Sequence, residues 1–260
     1  MKQINNNTIC WKALFACLIA LNCGFAQQNF IKSDVYKLAE ANKEKKETGF
    51  RRTLLVGQTL DFKSFRVHYT TVNAHQKSHA PHKHITEELI IVKEGEITLT
   101  VEGVENRLTV GDVAIIKPND MHGIENPSHK KATYMVMIYE ANYIKPNTIS
   151  DSTFVIHWND LEFKKHDLGG RRNVFDKGTA QTKRFEMHIT TLNAGNQSHA
   201  PHTHRAAEIL IPIKGKTEEF IDGQWISSKT GDIIFLESKV PHALRNIGKT
   251  SCTYFAFQFE

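Results

Sequence analysis

The sequence predicts an all-β protein made of one strand-rich unit copied in tandem. Three observations carry that expectation. Residues 49–140 match residues 169–260 at a constant offset of 120, without a gap. Ser78-His-Ala-Pro-His-Lys-His84 recurs as Ser198-His-Ala-Pro-His-Thr-His204. Gly49, Arg51, Arg52, His68, Glu88, Gly95, Gly103, Gly111-Asp112, His122 and Asn126 each have an identical partner. Self-similarity at a fixed spacing marks a duplicated structural unit. Second, each copy is a series of short β-rich runs divided by glycines. Third, helical periodicity is scarce. Many short strands with glycine turns and no long helix imply sandwiches or barrels.

The elements follow in chain order. Met1 to Ala26 reads as a secretory signal. Lys2 and Lys12 are its only charges. The apolar run Ala13 to Leu21 is shorter than the ~20 residues that span a bilayer. Gly24 and Ala26 are the small residues of a cleavage site, so the cut is expected after Ala26 and the mature protein in the periplasm or outside the cell. Cys10, Cys17 and Cys23 leave with the signal, which leaves Cys252 and no internal disulfide. Removing two lysines and no acid lowers the net charge from +5 to +3. Ser33 to Lys46 is the one helical stretch, with Ser33 as a cap. Strands are expected over Phe65 to Val72, Glu88 to Val92, Ile97 to Val101, Val113 to Ile116 and Thr133 to Tyr139. Ala141 to Thr153, with Pro146, Asn147 and Ser150, reads as a linker. The expected units are 1–26 signal, 27–146 first copy and 147–260 second copy.

Composition narrows the function. Hydrophobic residues at 40% and charged residues at 23% support a buried core. Such a balance excludes a disordered chain. The charges form no basic block, so nucleic acid is not an expected partner. No apolar stretch beyond the signal approaches membrane length. The unusual number is 14 histidines. Ten of them form five pairs at the offset of 120.

Residues two apart on a strand share a face. His82, His84 and Glu88 have one parity, as do His202, His204 and Glu208. His122 and His242 arrive about 40 residues later, 11 after the glycine of a Gly-Asp turn. Three imidazoles and a carboxylate suit a first-row divalent metal such as Mn, Fe, Co, Ni or Zn.

The pattern His-x-His-x3-Glu-x6-Gly, followed by Gly-x10-His-x3-Asn, resembles the two cupin motifs. It occurs at His82, His84, Glu88, Gly95, Gly111, His122 and Asn126, and again at His202, His204, Glu208, Gly215, Gly231, His242 and Asn246. The resemblance covers nearly the whole mature chain, as a bicupin. It implies two tandem jelly-roll (double-stranded β-helix) barrels, each with a metal inside. It implies up to two divalent ions per chain, Mn or Fe first and Zn or Ni as alternatives, and pairing into a homodimer through edge strands. One departure stands out. The family's second motif carries Pro-x-Gly before its histidine; here Pro118 is displaced by one place, Ser238 occupies its counterpart, and neither copy has the glycine. That leaves the turn geometry open, not the ligands.

Other residues have two readings each. His79 and His199 are partners that orient a ligand, or loop histidines kept from the duplicated ancestor. His68 and His188 line the interior near the metal or face solvent. Arg51 with Arg52 and Arg171 with Arg172 are anion-binding forks or ordinary surface pairs, with Arg52 and Arg172 taken as substrate candidates. His75, His129, His157 and His166 lack repeat partners and have no expected role.

The ligand set is similar to that of cupin dioxygenases and bicupin oxalate-converting enzymes. The expected function is therefore a metal-dependent enzyme acting on a small carboxylate or sugar acid, oxidoreductase first. An isomerase or hydrolase of uronate- or ureidoglycine-like substrates is the alternative. The run Phe185 to Gly195 is similar to part of ureidoglycine aminohydrolase. A non-catalytic binding cupin is the rival class. No acid–base residue beside the metal is evident from the sequence.

Overall fold

A computed structural model describes residues 29–142 and 152–260. The expected signal peptide and most of the expected linker lie outside the described residues. Each copy forms a seven-stranded antiparallel sheet and a three-stranded sheet. In the first copy the large sheet contains Phe62–Val72, Ala132–Ala141, Glu87–Glu94 and Val113–Ile116. The small one contains Val104–Thr109, Glu96–Val101 and His122–Glu125. The second copy repeats this arrangement. The strands pair into two separate sheets per unit, so each unit is a two-sheet sandwich rather than the closed barrel expected.

Both faces of the large sheets are covered, and alternation divides them. In Glu87–Glu94, Leu89 and Ile91 face one way; Ile90 and Val92 face the other. One face packs against the small sheet, with Ile97, Leu99, Leu108 and Ile124 opposite it. The other faces pack the two copies back to back around a shared aromatic core. Phe62 lies 4.9 Å from Phe259, and Phe65 lies 6.0 Å from Phe235, ring centre to ring centre. Burying a large apolar side chain contributes about 1.5–3 kcal/mol, so this seam is a main source of stability. Glu87 braces it: its carboxylate accepts hydrogen bonds from the Thr179 hydroxyl at 2.6 Å and from the N–H groups of Ala180 and Gln181.

The two copies exchange their leading segments. Asp34–Tyr36 pairs with Ile233–Leu236 of the second copy, and Phe154–Ile156 pairs with Val113–Ile116 of the first. The aspartate of each Gly-Asp turn anchors the visitor: Asp112 accepts from the Trp158 N–H at 2.7 Å, and Asp232 from the Leu38 N–H at 2.9 Å. This exchange overturns the helix expected over Ser33 to Lys46. The stretch holds the strands Asp34–Tyr36 and Lys43–Lys46 with a turn between them. Ser33 caps no helix; its N–H donates to the Glu237 carboxylate, and its hydroxyl accepts from the Glu237 N–H. Pairing with a distant strand outweighs local propensity here. Val35 is buried by that pairing, and the remainder is too polar to bury a helical face. Among the described residues the only helical turn is Trp158–Asp160, and no helix is long and apolar enough to cross a membrane.

Gly49 and Gly169 permit a close approach between paired antiparallel strands. A Cβ at Gly49 would meet the Thr71 carbonyl oxygen at 1.9 Å, and one at Gly169 would meet that of Thr191 at 2.1 Å.

Candidate functional site

The motif residues converge at one end of each sandwich. His82 and His122, distant in sequence, are antiparallel bridge partners: each backbone N–H donates to the other's carbonyl at 2.9 Å. His202 and His242 form the same bridge. A bend at Ile85 and Thr86 then starts the strand Glu87–Glu94, which delivers Glu88 from the large sheet. The three motif positions therefore share a side through a bridge and a bend, not through one continuous strand.

In each copy the candidate ligand nitrogens of the three histidines lie within 4.8 Å of one another, at His82, His84 and His122 and at His202, His204 and His242. Glu88 completes the first set, 3.0 Å from His84 Nε2 and 3.6 Å from His122 Nε2. Glu208 completes the second, 3.1 Å from both His204 Nε2 and His242 Nε2. Backbone carbonyls fix the tautomers. His84 Nδ1 donates to Thr86 O, His122 Nδ1 to Asp120 O, His204 Nδ1 to Ala206 O and His242 Nδ1 to Val240 O, at 2.8–3.0 Å. An imidazole whose Nδ1–H is so used presents an Nε2 lone pair inward. The Nε2 atoms of His122 and His242 are buried with no hydrogen-bond partner. Inward lone pairs, orphaned nitrogens and one carboxylate fit a divalent cation, so the residues present suit the metal that their pattern implies.

The electrostatics agree. Burial pushes the Glu208 carboxyl up, but the hydrogen bond to His204 and the charges of His242 and His204 outweigh it and hold it at about 2. Burial likewise opposes, and His84 and His122 overcome it, in lowering Glu88. The hydrogen bond to Glu88 raises His84, whereas burial and the neighbouring histidines lower His82.

The motif asparagines hold the turns. Asn126 Nδ2 is within 3.1 Å of the carbonyl oxygens of Val72, Asn73 and Lys130, and Asn246 repeats this with Leu192, Asn193 and Thr250. The missing glycines also find an account. Asn119 and Lys239, shortly before His122 and His242, take positive φ of 67° and 65°. Glycine adopts that conformation freely.

The remaining candidates separate by face. His68 and His188 line the cavities, not the solvent. His68 is buried, and burial with the nearby charges of Arg51 and Arg66 lowers its pKa to about 3. His79 and His199 pack edge-on against His82 and His202, at 4.3 and 4.1 Å between ring centres. They lie outside the three-histidine groups. Arg52 and Arg172 are not in the cavities. Arg52 Nη1 donates to Ala41 O at 2.7 Å, and Arg172 stacks on Trp158 and Phe163. The alternation of the strand turns their neighbours Arg51 and Arg171 inward instead.

Sequence reasoning missed Arg66, Glu219 and Gln258. Arg66 lines the first cavity, of about 670 Å³. Glu219 and Gln258 line the second, of about 290 Å³. The signal was present: at the offset of 120 these positions pair with Glu186, Leu99 and Ile138, a change of chemical class within an otherwise matched repeat.

Comparisons with known proteins agree with this geometry. Among solved structures, AerE from Microcystis aeruginosa is similar at 17% identity and a TM-score of 0.68, covering 85% of this chain and 97% of that one. A Lactobacillus farciminis oxalate decarboxylase in its formate complex matches at 13% identity and 0.69, covering 88% and 86%. The protein Ylba from E. coli matches at 16% and 0.68, covering 88% and 91%. At these identities the likeness establishes the fold alone. No curated protein sequence matches the chain. The cupin domain family model matches residues 68–139 and 188–257, more than half of the chain. With two such domains in tandem, the chain belongs to the cupin family as a bicupin.

Proposed function

We propose that this bicupin is an exported, metal-dependent enzyme acting on a small carboxylate-bearing molecule, with oxidative chemistry as the reaction class. The observation that carries the reading is the first cavity. Its floor is formed by His82, His84 and Glu88 of the cluster, and its wall presents Arg51 and Arg66, each with a buried Nε that has no partner. Burial and the charge of Arg51 hold Arg66 below its usual pKa, as expected for two cations awaiting an anion. Guanidinium forks match carboxylates, and charge-assisted bonds in a partly dry site are among the stronger polar contacts. A bound divalent ion supplies Lewis acidity to chelated oxygens and, as iron or manganese, access to dioxygen chemistry.

The chain's own residues then have distinct tasks. Arg51 and Arg66 hold and orient the carboxylate. Buried His68 stays neutral beside them. The likeness to an oxalate decarboxylase whose structure holds formate supports a small carboxylate as the substrate class. The division at 146/147 and the signal ending at Ala26 belong to this reading, which places the mature enzyme in the periplasm or outside the cell.

Elemental analysis with oxygen-uptake measurements tests it. The expected result is close to two divalent ions per mature chain, Mn or Fe, with oxygen consumed when small carboxylates are supplied. Zn or Ni without oxygen consumption transfers the reading to an isomerase or hydrolase. A metal ratio near zero after refolding with metal overturns it.

A further inference from the structure

We propose that the two cavities are addressed to different ligands, and that the C-terminal one takes a neutral polyhydroxylated molecule held by Glu219 and Gln258. The inference rests on reading the histidine clusters as metal centres. Much of the wall is common to both copies: Thr70, Ser78 and Tyr134 in the first are Thr190, Ser198 and Tyr254 in the second. Three inward positions change class.

Arg66 becomes Glu186, and this cancels the cationic wall. Arg171, the counterpart of Arg51, is tied to the Glu186 carboxylate at 2.7 Å, and His188 Nδ1 donates to the same carboxylate at 2.9 Å. The pair that awaits an anion in the first cavity is thereby an internal ion pair in the second. Leu99 becomes Glu219. Leu99 is part of the apolar core between the sheets, so folding requires no carboxyl at this place. Glu219 is nevertheless fully buried, and neither of its oxygens has a hydrogen-bond partner. A buried polar group left unsatisfied costs stability, and such a group in a cavity wall points to a ligand that completes it. Ile138 becomes Gln258, whose amide is 3.2 Å from His204 Nε2 at the candidate metal centre.

Compared with the first cavity, the second has lost its free positive charge and gained two hydrogen-bonding side chains where the first has hydrocarbon. An incoming carboxylate would meet Glu208 and Glu219 and find Arg171 already engaged by Glu186. A hydroxyl both donates and accepts, so it satisfies the Glu219 carboxyl in either protonation state and pairs with either end of the Gln258 amide. The volume of about 290 Å³ suits a short polyol better than a bulky substrate.

Gluconate and sorbitol form a matched pair of probes, six-carbon chains that differ in a terminal carboxylate. Calorimetric titration of the manganese-loaded mature chain should give one gluconate and one sorbitol per chain. Arg66→Glu, the residue that the second copy carries, should weaken gluconate at least about tenfold and leave sorbitol unchanged. Glu219→Leu, the residue that the first copy carries, should weaken sorbitol about tenfold and leave gluconate unchanged. Gln258→Ile provides a second variant with the same expected direction. Two gluconates per chain, no binding of sorbitol, or a sorbitol affinity indifferent to both Glu219→Leu and Gln258→Ile would overturn the inference. Failure to load manganese, iron, zinc or nickel would instead refute the metal reading beneath it.

Discussion

The two cavities of this chain are alike where metal would bind and unlike where a ligand would be chosen. His82, His84, Glu88 and His122 have the same bridge, tautomers and carbonyl partners as His202, His204, Glu208 and His242. The surroundings differ at Arg66 against Glu186, which ties up Arg171, at core Leu99 against Glu219 and at Ile138 against Gln258. The second cavity has less than half the volume of the first. Duplication supplies two equal frameworks, and side chains on the facing sides of the large and small sheets can then change without disturbing the shared core on the outer face of the large one. The division of faces by strand alternation is what separates stability from specificity here.

The largest expected effect tests whether the two sites are independent. Replacing His82 and His84 by alanine should remove one divalent ion per chain and leave the other, with affinity at the damaged site falling more than ~100-fold. Elemental analysis of the purified variant reads this directly. Loss of both ions would mean that the sites are coupled and the comparison of separate cavities is wrong.

Acid should act on the second cluster in a defined window. The folded Glu208 carboxyl sits at about 2 against an ordinary value of 4.5. A depressed carboxylate contributes stability that is fully present above its unfolded value and is lost as pH falls through the folded one. The metal-free chain should therefore lose roughly 3 kcal/mol between pH 4.5 and 2 from this residue, at about 1.4 kcal/mol per unit. Denaturant unfolding across that range should show a flatter profile in Glu208→Gln. An unchanged profile would mean that the carboxylate is not held by its histidines.

Stability should rise where the walls diverge. Glu219→Leu replaces an unsatisfied buried carboxyl with the residue that packs the first copy. Without ligand it should gain about 1–3 kcal/mol. Leu99→Glu should lose at least as much. Thermal unfolding distinguishes the two, with shifts of about 2–4 °C per kcal/mol in a chain of this size. A loss of stability in Glu219→Leu would mean that Glu219 has a structural partner and is not waiting for a ligand.

These differences also show how far the sequence carries. The repeat, the all-β class and the eight motif residues were legible because they are written as identities at one spacing, and strand alternation needs only parity. The inward turn of His68 follows from the same rule once both faces of the sheet are known to be buried. The exchanged strands were not legible, because Asp34–Tyr36 finds its partner in the far end of the other copy and neither segment records the pairing. Which of Arg51 and Arg52 faces the cavity depends on the register of Gly49–Gly57 against Phe62–Val72, which the sequence does not record. Glu219 is marked only by a mismatch with Leu99, not by anything the copies share.

The smallest expected effect lies in the turn before each third histidine. Asn119 and Lys239 occupy the left-handed region at φ 67° and 65°. Asparagine tolerates that region through local hydrogen bonding, whereas a lysine Cβ meets the following carbonyl there at a cost of about 1 kcal/mol. Glycine removes this cost but loses more conformational freedom on folding, which returns about half of the gain. Lys239→Gly should therefore stabilise the second copy by about 0.5 kcal/mol, and Asn119→Gly should be close to neutral in the first. The turn directs His242, whose Nδ1 donates to the Val240 carbonyl two residues earlier. A glycine that keeps the same φ should leave metal content unchanged. If Lys239→Gly lowers metal content without lowering Tm, then the lysine side chain, and not only its backbone, shapes the second centre, and the two frameworks are less equal than their repeat implies.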